Sequence, residues 1–200
     1  QAPRGSIHGR RRFALPARAA PRYTAAMERV RFFYDFTSPY TYLATSRVDD
    51  LAARTGAEIA WIPAFLGGIM KATGNQPPAT LPARALYMSR DLVRWAAFYG
   101  VPFRMSPHFP LNTLGALRAA CALASERPER YRAFVDACFR AAWADGKDLA
   151  DRAVVASLAA EDDRALVVEA MDAPRWKEAL KKNTEAAVAA HLVHQDWNRG

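Results

Sequence analysis

The sequence predicts an α/β fold in which a strand–helix–strand unit comes first and a mostly helical block follows. Three observations support this: a β-branched and aromatic run at residues 30–36, a helix-start signal directly after it, and a second short apolar run at residues 58–62. Elements in this order give a parallel strand pair joined by a right-handed crossover. Because two parallel strands are not a complete sheet, we expect further strands after the helices, and only residues 191–200 remain to supply them.

The first helix has a strong start signal. Ser38 is a favoured helix N-cap, and Pro39 suits the first helical position. The helix is predicted to continue to about residue 54, and Gly56 is expected to end it. Its predicted apolar stripe consists of Leu43, Val48, Leu51 and Ala52.

Residues 63–82 differ in character from what precedes them. The segment is rich in Gly and Pro and is predicted to be too irregular for a regular element. Because loops of this length in compact domains are commonly functional, the segment is a candidate part of a site. A helix is then predicted over residues 81–99, with these apolar residues on or near one face: Leu86, Leu92, Trp95, Phe98 and Tyr99.

The remainder of the chain is predicted to be helical after an extended, proline-interrupted segment at residues 101–111. Asn112 is expected to cap a helix that reaches about residue 125, and Pro128 is expected to begin one that reaches Trp143. Further helices are predicted to start at Asp151, Asp162 and Pro174, the last of them ending near residue 190.

The formal charge of +8 is concentrated at the start of the chain. Residues 1–26 contain six arginines and no acidic residue, and the other 22 basic and 20 acidic residues leave +2 for residues 27–200. A body so close to neutral does not indicate a nucleic-acid partner. No apolar run approaches the roughly 18 residues that a membrane-spanning helix needs, so no membrane partner is expected either.

The chain is predicted to divide into three parts. Residues 1–26 are expected to be a disordered basic extension, residues 27–190 a single domain, and residues 191–200 a divergent tail. A basic, acid-free extension also fits an organelle transit peptide, although a single serine fits that poorly. The expected location is therefore cytoplasmic, or organellar if the extension is a transit peptide.

Cysteine and histidine provide no metal or disulfide motif. Cys121 and Cys138 have no paired spacing and lie in helical patterns, so we expect buried structural thiols in a reducing compartment. The four histidines are scattered, and the pair His191 and His194 is weak evidence for a site.

Ser38 is the position where the sequence indicates chemistry. A helix N-terminus at the carboxyl end of a strand favours a bound anion. Thioredoxin-like proteins have a cysteine there, but residues 38–41 contain no sulfur, which excludes disulfide exchange through them. A serine hydroxyl can instead donate a hydrogen bond to a thiolate. From the local pattern alone, a simple helix cap is the favoured interpretation.

Three windows of the sequence resemble one enzyme family. They are FFYDFTSPYTYLA at residues 32–44, GGIMKATGNQPPATLPARALYMSRDL at residues 67–92, and PERYRAFVDACFRAAWADGKDL at residues 128–149. These windows resemble the 2-hydroxychromene-2-carboxylate isomerases and kappa-class glutathione transferases, of the DsbA-like thioredoxin superfamily. The resemblance implies a thioredoxin-like β-α-β core with a large helical insertion at about residues 63–175.

The resemblance also implies roles for individual residues. Ser38 matches the serine that hydrogen-bonds the glutathione sulfur, and Pro39 and Tyr40 are its neighbours in the glutathione contact. Asn75 matches a glutathione-binding residue, and Arg84 stands where kappa-class enzymes have a lysine. On the substrate side the matching residues are Lys71 and Tyr87.

Each of these residues also has an ordinary structural interpretation. Asn75 follows a glycine and suits a turn, and Lys71 and Arg84 could be solvated charges. Tyr87, together with Asp91 and Trp95, recurs at i, i+4 spacing and could belong to one packed helix face.

The family pattern continues beyond the helical block with a cis-proline loop, two antiparallel strands and an Asp-Arg pair. The chain reads HLVHQDWNRG from residue 191 and lacks these features. We therefore expect the C-terminal part of the glutathione site to be missing. A sheet without those strands also has exposed edges.

The resemblance implies an enzyme that uses glutathione and a small-molecule substrate, with a homodimer as the expected assembly. The first hypothesis is a glutathione-dependent isomerase of 2-hydroxychromene-2-carboxylate-type aromatic catabolites, with Ser38 stabilising the glutathione thiolate. The second is a kappa-like transferase that conjugates glutathione to electrophiles. The third is an inactive fragment or a binding protein.

Overall fold

The structure is a computed structural model that describes residues 29–190. Two strands lie side by side in it: β1, Arg29–Tyr34, and β2, Glu58–Pro63. They are parallel and in register from the pair Arg29–Glu58 to the pair Tyr34–Pro63. The predicted β-α-β unit is confirmed, and in the described residues the sheet contains these two strands. The predicted extension at residues 1–26, the tail at residues 191–200, and the pair His191 and His194 lie outside this part.

The helix between the strands, α1, spans Pro39–Thr55. Gly56 ends it with a φ of 72°, and its amide donates to the Ala52 carbonyl. Both predicted boundaries are therefore confirmed within one residue. The predicted apolar stripe is wrong at Leu51, which is 49% exposed, because only the first turns of α1 are buried in the core, at Tyr42 and Leu43.

The glycine- and proline-rich segment contains a regular helix, contrary to the prediction for residues 63–82. Helix α2 spans Leu66–Thr73, and a 3₁₀ turn spans Pro78–Thr80. Glycine has a low intrinsic helix propensity, but here its missing side chain allows close packing. A Cβ on Gly68 would lie 3.1 Å from Thr184 Cγ2 and 3.2 Å from a ring carbon of Phe65.

Six more helices follow. They are α3, Pro82–Tyr99; α4, Leu114–Glu126; α5, Pro128–Trp143; α6, Arg152–Ser157; α7, Arg164–Ala170; and α8, Pro174–Ala189. The predicted starts at Pro128, Asp151 and Pro174 are confirmed, because Asp151 caps α6 and the two prolines stand at the first position of their helices. The structure differs slightly at two starts: Thr113 rather than Asn112 is the N-cap of α4, and a 3₁₀ turn at Glu161–Asp163 precedes α7.

The core lies where the strand–helix turn meets the helical block. Trp143, which is fully buried, donates from Nε1 to the Phe36 carbonyl at 2.8 Å, and its ring stacks on that of Phe103. Phe139 contacts the rings of Tyr34 and Phe36. Aromatic packing therefore fixes the turn that leads into α1 against α5.

The predicted apolar face of α3 is wrong for three residues. Leu86, Trp95 and Phe98 are 56%, 42% and 75% exposed. The buried residues are Met88, Leu92 and Ala96, which recur every four residues. Because the helix is hydrophobic on more than one face, composition alone did not identify the face that packs in the core.

Both cysteines are free and buried, as predicted. Burial raises the pKa of the Cys121 thiol to about 12 and that of Cys138 well above its ordinary value. No cluster of three or more potential metal ligands occurs among residues 29–190. Within the same residues, no helix has the length and apolar character needed to cross a bilayer.

Candidate functional site

Ser38 occupies the N-cap of α1, directly after the turn that leaves β1. Its backbone is extended, with φ −94° and ψ 109°, and its Oγ accepts a hydrogen bond from the Thr41 amide at 3.2 Å. The Ser38 amide in turn donates to the Asp35 carbonyl at 3.1 Å. In the described part of the chain the Ser38 hydroxyl proton is not used in a hydrogen bond, so it can be donated to a ligand.

A small cavity of about 150 Å³ lies beside Ser38. It is lined by Ser38 and Thr41 of the α1 start and by Leu66 and Ile69 of α2. Asp35 also lines it. The remaining lining residues are Phe33, Tyr34 and Ala64. The N-terminus of α1 therefore faces a mainly apolar space, in which its partial positive charge is poorly screened.

Asp35 is a site residue that the sequence analysis missed. It is 4% exposed, and its carboxylate accepts three hydrogen bonds: from the Thr37 amide at 3.0 Å, the Leu66 amide at 2.8 Å and the Thr113 hydroxyl at 2.7 Å. Burial raises the pKa of Asp35, and the three hydrogen bonds oppose that rise. The available signal was an acidic residue in an otherwise apolar strand window, just before a helix start.

A second, larger groove of about 370 Å³ brings together three of the predicted site residues, Tyr40, Arg84 and Tyr87. The Tyr40 hydroxyl donates to Asp91 Oδ2 at 3.2 Å, and Arg94 lies 3.2 Å from the other oxygen of that carboxylate. The pKa of Tyr40 is raised to about 12, mainly by desolvation and to a smaller extent by the contact with Asp91. Because Tyr40 is two residues from Ser38, this groove adjoins the start of α1.

Lys71 lies in the last turn of α2 and Asn75 just after that helix, at the end opposite to Leu66. Both are exposed, and neither lines the Ser38 cavity or the Tyr40 groove. Asn75 follows Gly74, which has a φ of 67°, and its Oδ1 accepts from the Gln76 amide at 2.9 Å. These are the contacts of a turn residue. Pro39 is buried at the first position of α1.

The alternative of a packed face on α3 does not hold for Tyr87. Its side chain is 62% exposed, and the Arg94 guanidinium lies 5.8 Å from its ring centroid. Tyr87 is therefore accessible at the groove that also contains Arg84.

The parallel β-α-β unit places the start of α1 at the carboxyl end of β1, where α/β proteins commonly bind ligands, and a helical block follows it. The chain belongs to the DSBA-like thioredoxin domain family, whose model matches residues 29–192. The predicted thioredoxin-like fold with a helical insertion is thereby confirmed.

Known proteins similar to this chain include glutathione transferases and isomerases. The glutathione S-transferase kappa 1 of Caenorhabditis elegans is 38% identical over 109 residues, which are 52% of this chain and 48% of that protein. The 2-hydroxychromene-2-carboxylate isomerase of Sphingobium xenophagum is 33% identical over 125 residues, 62% of each chain. The chain therefore spans about half the length of the first relative and less than two thirds of the second.

A solved structure of a 2-hydroxychromene-2-carboxylate isomerase shares the fold. It superposes with a TM-score of 0.69 at 27% identity, over 80% of this chain and 79% of that chain. The resemblance to the isomerase and kappa-class family is thus confirmed, and the named relatives are enzymes.

Proposed function

We propose that the protein is a glutathione-dependent isomerase of 2-hydroxychromene-2-carboxylate-type aromatic catabolites, in which Ser38 stabilises the glutathione thiolate. The observation that carries this proposal is the unused hydroxyl proton of Ser38 at the N-terminus of α1. The relatives named above, an isomerase and a glutathione transferase, make glutathione the thiol to expect.

The residues present fit the chemistry of glutathione, a tripeptide with one thiol and two carboxylates. A thiolate needs a donor and a positive potential, and Ser38 and the α1 N-terminus supply them. A carboxylate suits the guanidinium of Arg84 in the adjoining groove, since arginine can bind both carboxylate oxygens. Pro39, Tyr40 and Asn75 complete the proposed contacts.

Glutathione supplies, when bound, a thiol that can add to an electrophilic carbon. Ser38 donates its hydroxyl proton toward the sulfur position, and the first-turn amides of α1 add positive potential there. Both effects favour the charged form of a thiol whose ordinary pKa is about 8.5. Ser38 thus acts by electrostatic stabilisation rather than as a nucleophile. In the described residues the one histidine, His108, contacts Asp148 rather than Ser38.

The substrate side of the proposed site is cationic and aromatic. Lys71, exposed on α2, suits a substrate carboxylate, and the exposed ring of Tyr87 in the groove suits an aromatic ring. The predicted homodimer is part of the same proposal.

A kappa-like transferase is the second candidate. It is favoured by the residues 67–92 window and by the 38% identity to the kappa-class relative, against 33% to the isomerase. An inactive fragment or a binding protein is the third, because Lys71 and Asn75 line neither the Ser38 cavity nor the Tyr40 groove.

One experiment separates the three candidates. The protein is incubated with glutathione and 2-hydroxychromene-2-carboxylate, while product is followed by absorbance and free thiol by a colorimetric assay. Isomerisation without loss of thiol supports the isomerase, and loss of one thiol per product supports the transferase. Absence of glutathione binding at millimolar concentration leaves the third candidate.

A further inference from the structure

The N-terminal ends of three helices meet at the buried carboxylate of Asp35. Thr37 lies in the turn before α1, Leu66 is the first residue of α2, and Thr113 is the N-cap of α4; each donates one hydrogen bond to Asp35. The partners come from segments 31 and 78 residues away in sequence. One side chain therefore links three otherwise separate helix starts.

The N-termini of α4 and α2 both lack an ordinary side-chain cap and bond to Asp35 instead. The hydroxyl of an N-cap threonine ordinarily accepts a hydrogen bond from its own helix. Thr113 makes no such bond and instead donates to Asp35 at 2.7 Å. Helix α2 likewise has no side-chain cap of its own, because its N-cap is Phe65, and Asp35 accepts the first amide of that helix. Asp35 thus takes the place of a local cap at α2.

We infer that Asp35 is a positioning residue that holds Ser38 and α2 at a fixed separation around the Ser38 cavity. Ser38 is tied to Asp35 through the backbone bond to the Asp35 carbonyl, and Leu66 through the carboxylate. Because Ser38, Leu66 and Asp35 all line the 150 Å³ cavity, the geometry of Asp35 sets the position of the sulfur-binding hydroxyl. This inference rests on the proposed function for the identity of the thiol.

The hydrogen-bond pattern favours the ionised form of Asp35 against the opposing effect of burial. The Thr37 and Leu66 amides can only donate, and each oxygen of the carboxylate accepts one of them. The positive ends of α1, α2 and α4 favour the negative charge. An amide at this position would set an N–H group against at least one of these donors in either orientation, so Asp35→Asn breaks the link with almost no change in shape.

The experiment uses a pair of variants at Thr113 together with Asp35→Asn. Thr113→Val removes the donor while keeping the shape and the carboxylate charge, and Thr113→Ser keeps the donor. In Thr113→Val we expect kcat/KM for glutathione to fall about tenfold, the loss typical of one hydrogen bond to a charged group. Its pH–rate profile should move to higher pH, and Thr113→Ser should restore both properties.

A matched control separates positioning from general destabilisation. Asp163 is also a buried aspartate, paired with Arg127 and Arg130 at the start of α5, and it does not line the Ser38 cavity. Asp163→Asn should lower the unfolding midpoint but leave the pH–rate profile of glutathione use unchanged. A profile shift in Asp163→Asn as large as in Thr113→Val would overturn the inference, and so would wild-type kinetics in Thr113→Val.

A second readout needs no glutathione. Amide hydrogen exchange of the free protein should accelerate about tenfold or more at Thr37 and Leu66 in Asp35→Asn, with α5 unchanged. If the wild-type protein does not bind glutathione, the proposed function fails. Hydrogen exchange still tests whether the Asp35 carboxylate holds the starts of α1 and α2 together. Unchanged exchange at Leu66 in Asp35→Asn would show that the carboxylate does not hold α2.

Discussion

Ser38 has two separable effects at the start of α1. Its oxygen caps the helix by accepting from the Thr41 amide, and within residues 29–190 its proton has no acceptor and is free for a ligand. Capping contributes to stability alone, whereas the free proton contributes to the proposed chemistry. Substitutions that keep one effect and remove the other therefore test the site directly.

Ser38→Ala removes both effects, and Ser38→Asp keeps the cap but replaces the donor with a negative charge. We expect Ser38→Ala to lose about 1 kcal/mol of stability and about a hundredfold in turnover, as when one transition-state hydrogen-bond donor is removed. Ser38→Asp should retain the wild-type unfolding midpoint and lose at least as much turnover. Turnover is measured with saturating glutathione, and stability by urea unfolding. Wild-type turnover in Ser38→Asp would remove Ser38 from the mechanism.

Arg84 offers a second test at the residue scale. Arg84→Gln removes the charge from the groove that also contains Tyr40. We expect KM for glutathione to rise about tenfold with little change in kcat, because a charge-assisted bond to a carboxylate is lost in the ground state and transition state alike. Arg90→Gln, an exposed change on the same helix, is the control. Equal KM values in the two variants would refute the role of Arg84.

At the scale of elements, α2 shows a conflict between local preference and tertiary packing. Gly68→Ala should gain about 1 kcal/mol of helix propensity, but its Cβ would lie 3.1 Å from Thr184 Cγ2. Overpacking typically costs about 1–3 kcal/mol, so we expect a net loss near 1 kcal/mol in urea unfolding. The added change Thr184→Ser removes Cγ2 and keeps the hydroxyl that accepts from the Phe65 amide, and should recover part of the loss. A more stable Gly68→Ala variant would contradict this explanation.

The elements that sequence predicted correctly are those whose boundaries are determined locally. The Ser38-Pro39 start, the Gly56 stop and the prolines at 128 and 174 depend on capping and on backbone restriction within a few residues. Helix α2 was missed because glycine disfavours a helix locally, and the close contact of Gly68 with Thr184 on α8 is distant in the chain.

The same reasoning applies to the candidate site. Ser38 could be identified because a helix start is a local pattern and the family resemblance gave it a role. The sequence marks Asp35 as an acidic residue in an apolar window but does not reveal its role, because two of its three partners, Leu66 and Thr113, are distant in the chain. The burial of α3 also depends on which neighbour it meets, and its sequence alone offered two hydrophobic faces.

At the scale of the whole molecule, the buried thiols report on global unfolding. Cys121 and Cys138 are 6% and 0% exposed, and burial raises the pKa of both. A thiol reagent needs exposed thiolate, so neither cysteine should react in the folded protein at pH 8. Both should react in denaturant. Labelling is measured by mass spectrometry, and rapid modification of either thiol without unfolding would contradict the burial.

The same thiols predict how stability changes with alkaline pH. In the unfolded chain a thiol ionises near pH 8.5–9, whereas the folded Cys121 has a pKa of about 12. Below pH 8 both states bind the proton and the thiols have no effect. Above pH 9 only the unfolded state releases it, so the free energy of unfolding falls as pH rises. Tyr34 and Tyr131 act in the same direction, since burial raises both pKa values.

The contribution of the thiols can be isolated with the double variant Cys121→Ala, Cys138→Ala. Its free energy of unfolding at pH 8 should be lower than that of the wild type, because two buried sulfurs are lost from the core. Between pH 8 and pH 10, however, it should lose less stability than the wild type, since only the tyrosine contribution remains. Urea unfolding at the two pH values measures both differences. Equal losses in the two proteins would mean that the thiols are not held protonated in the folded core.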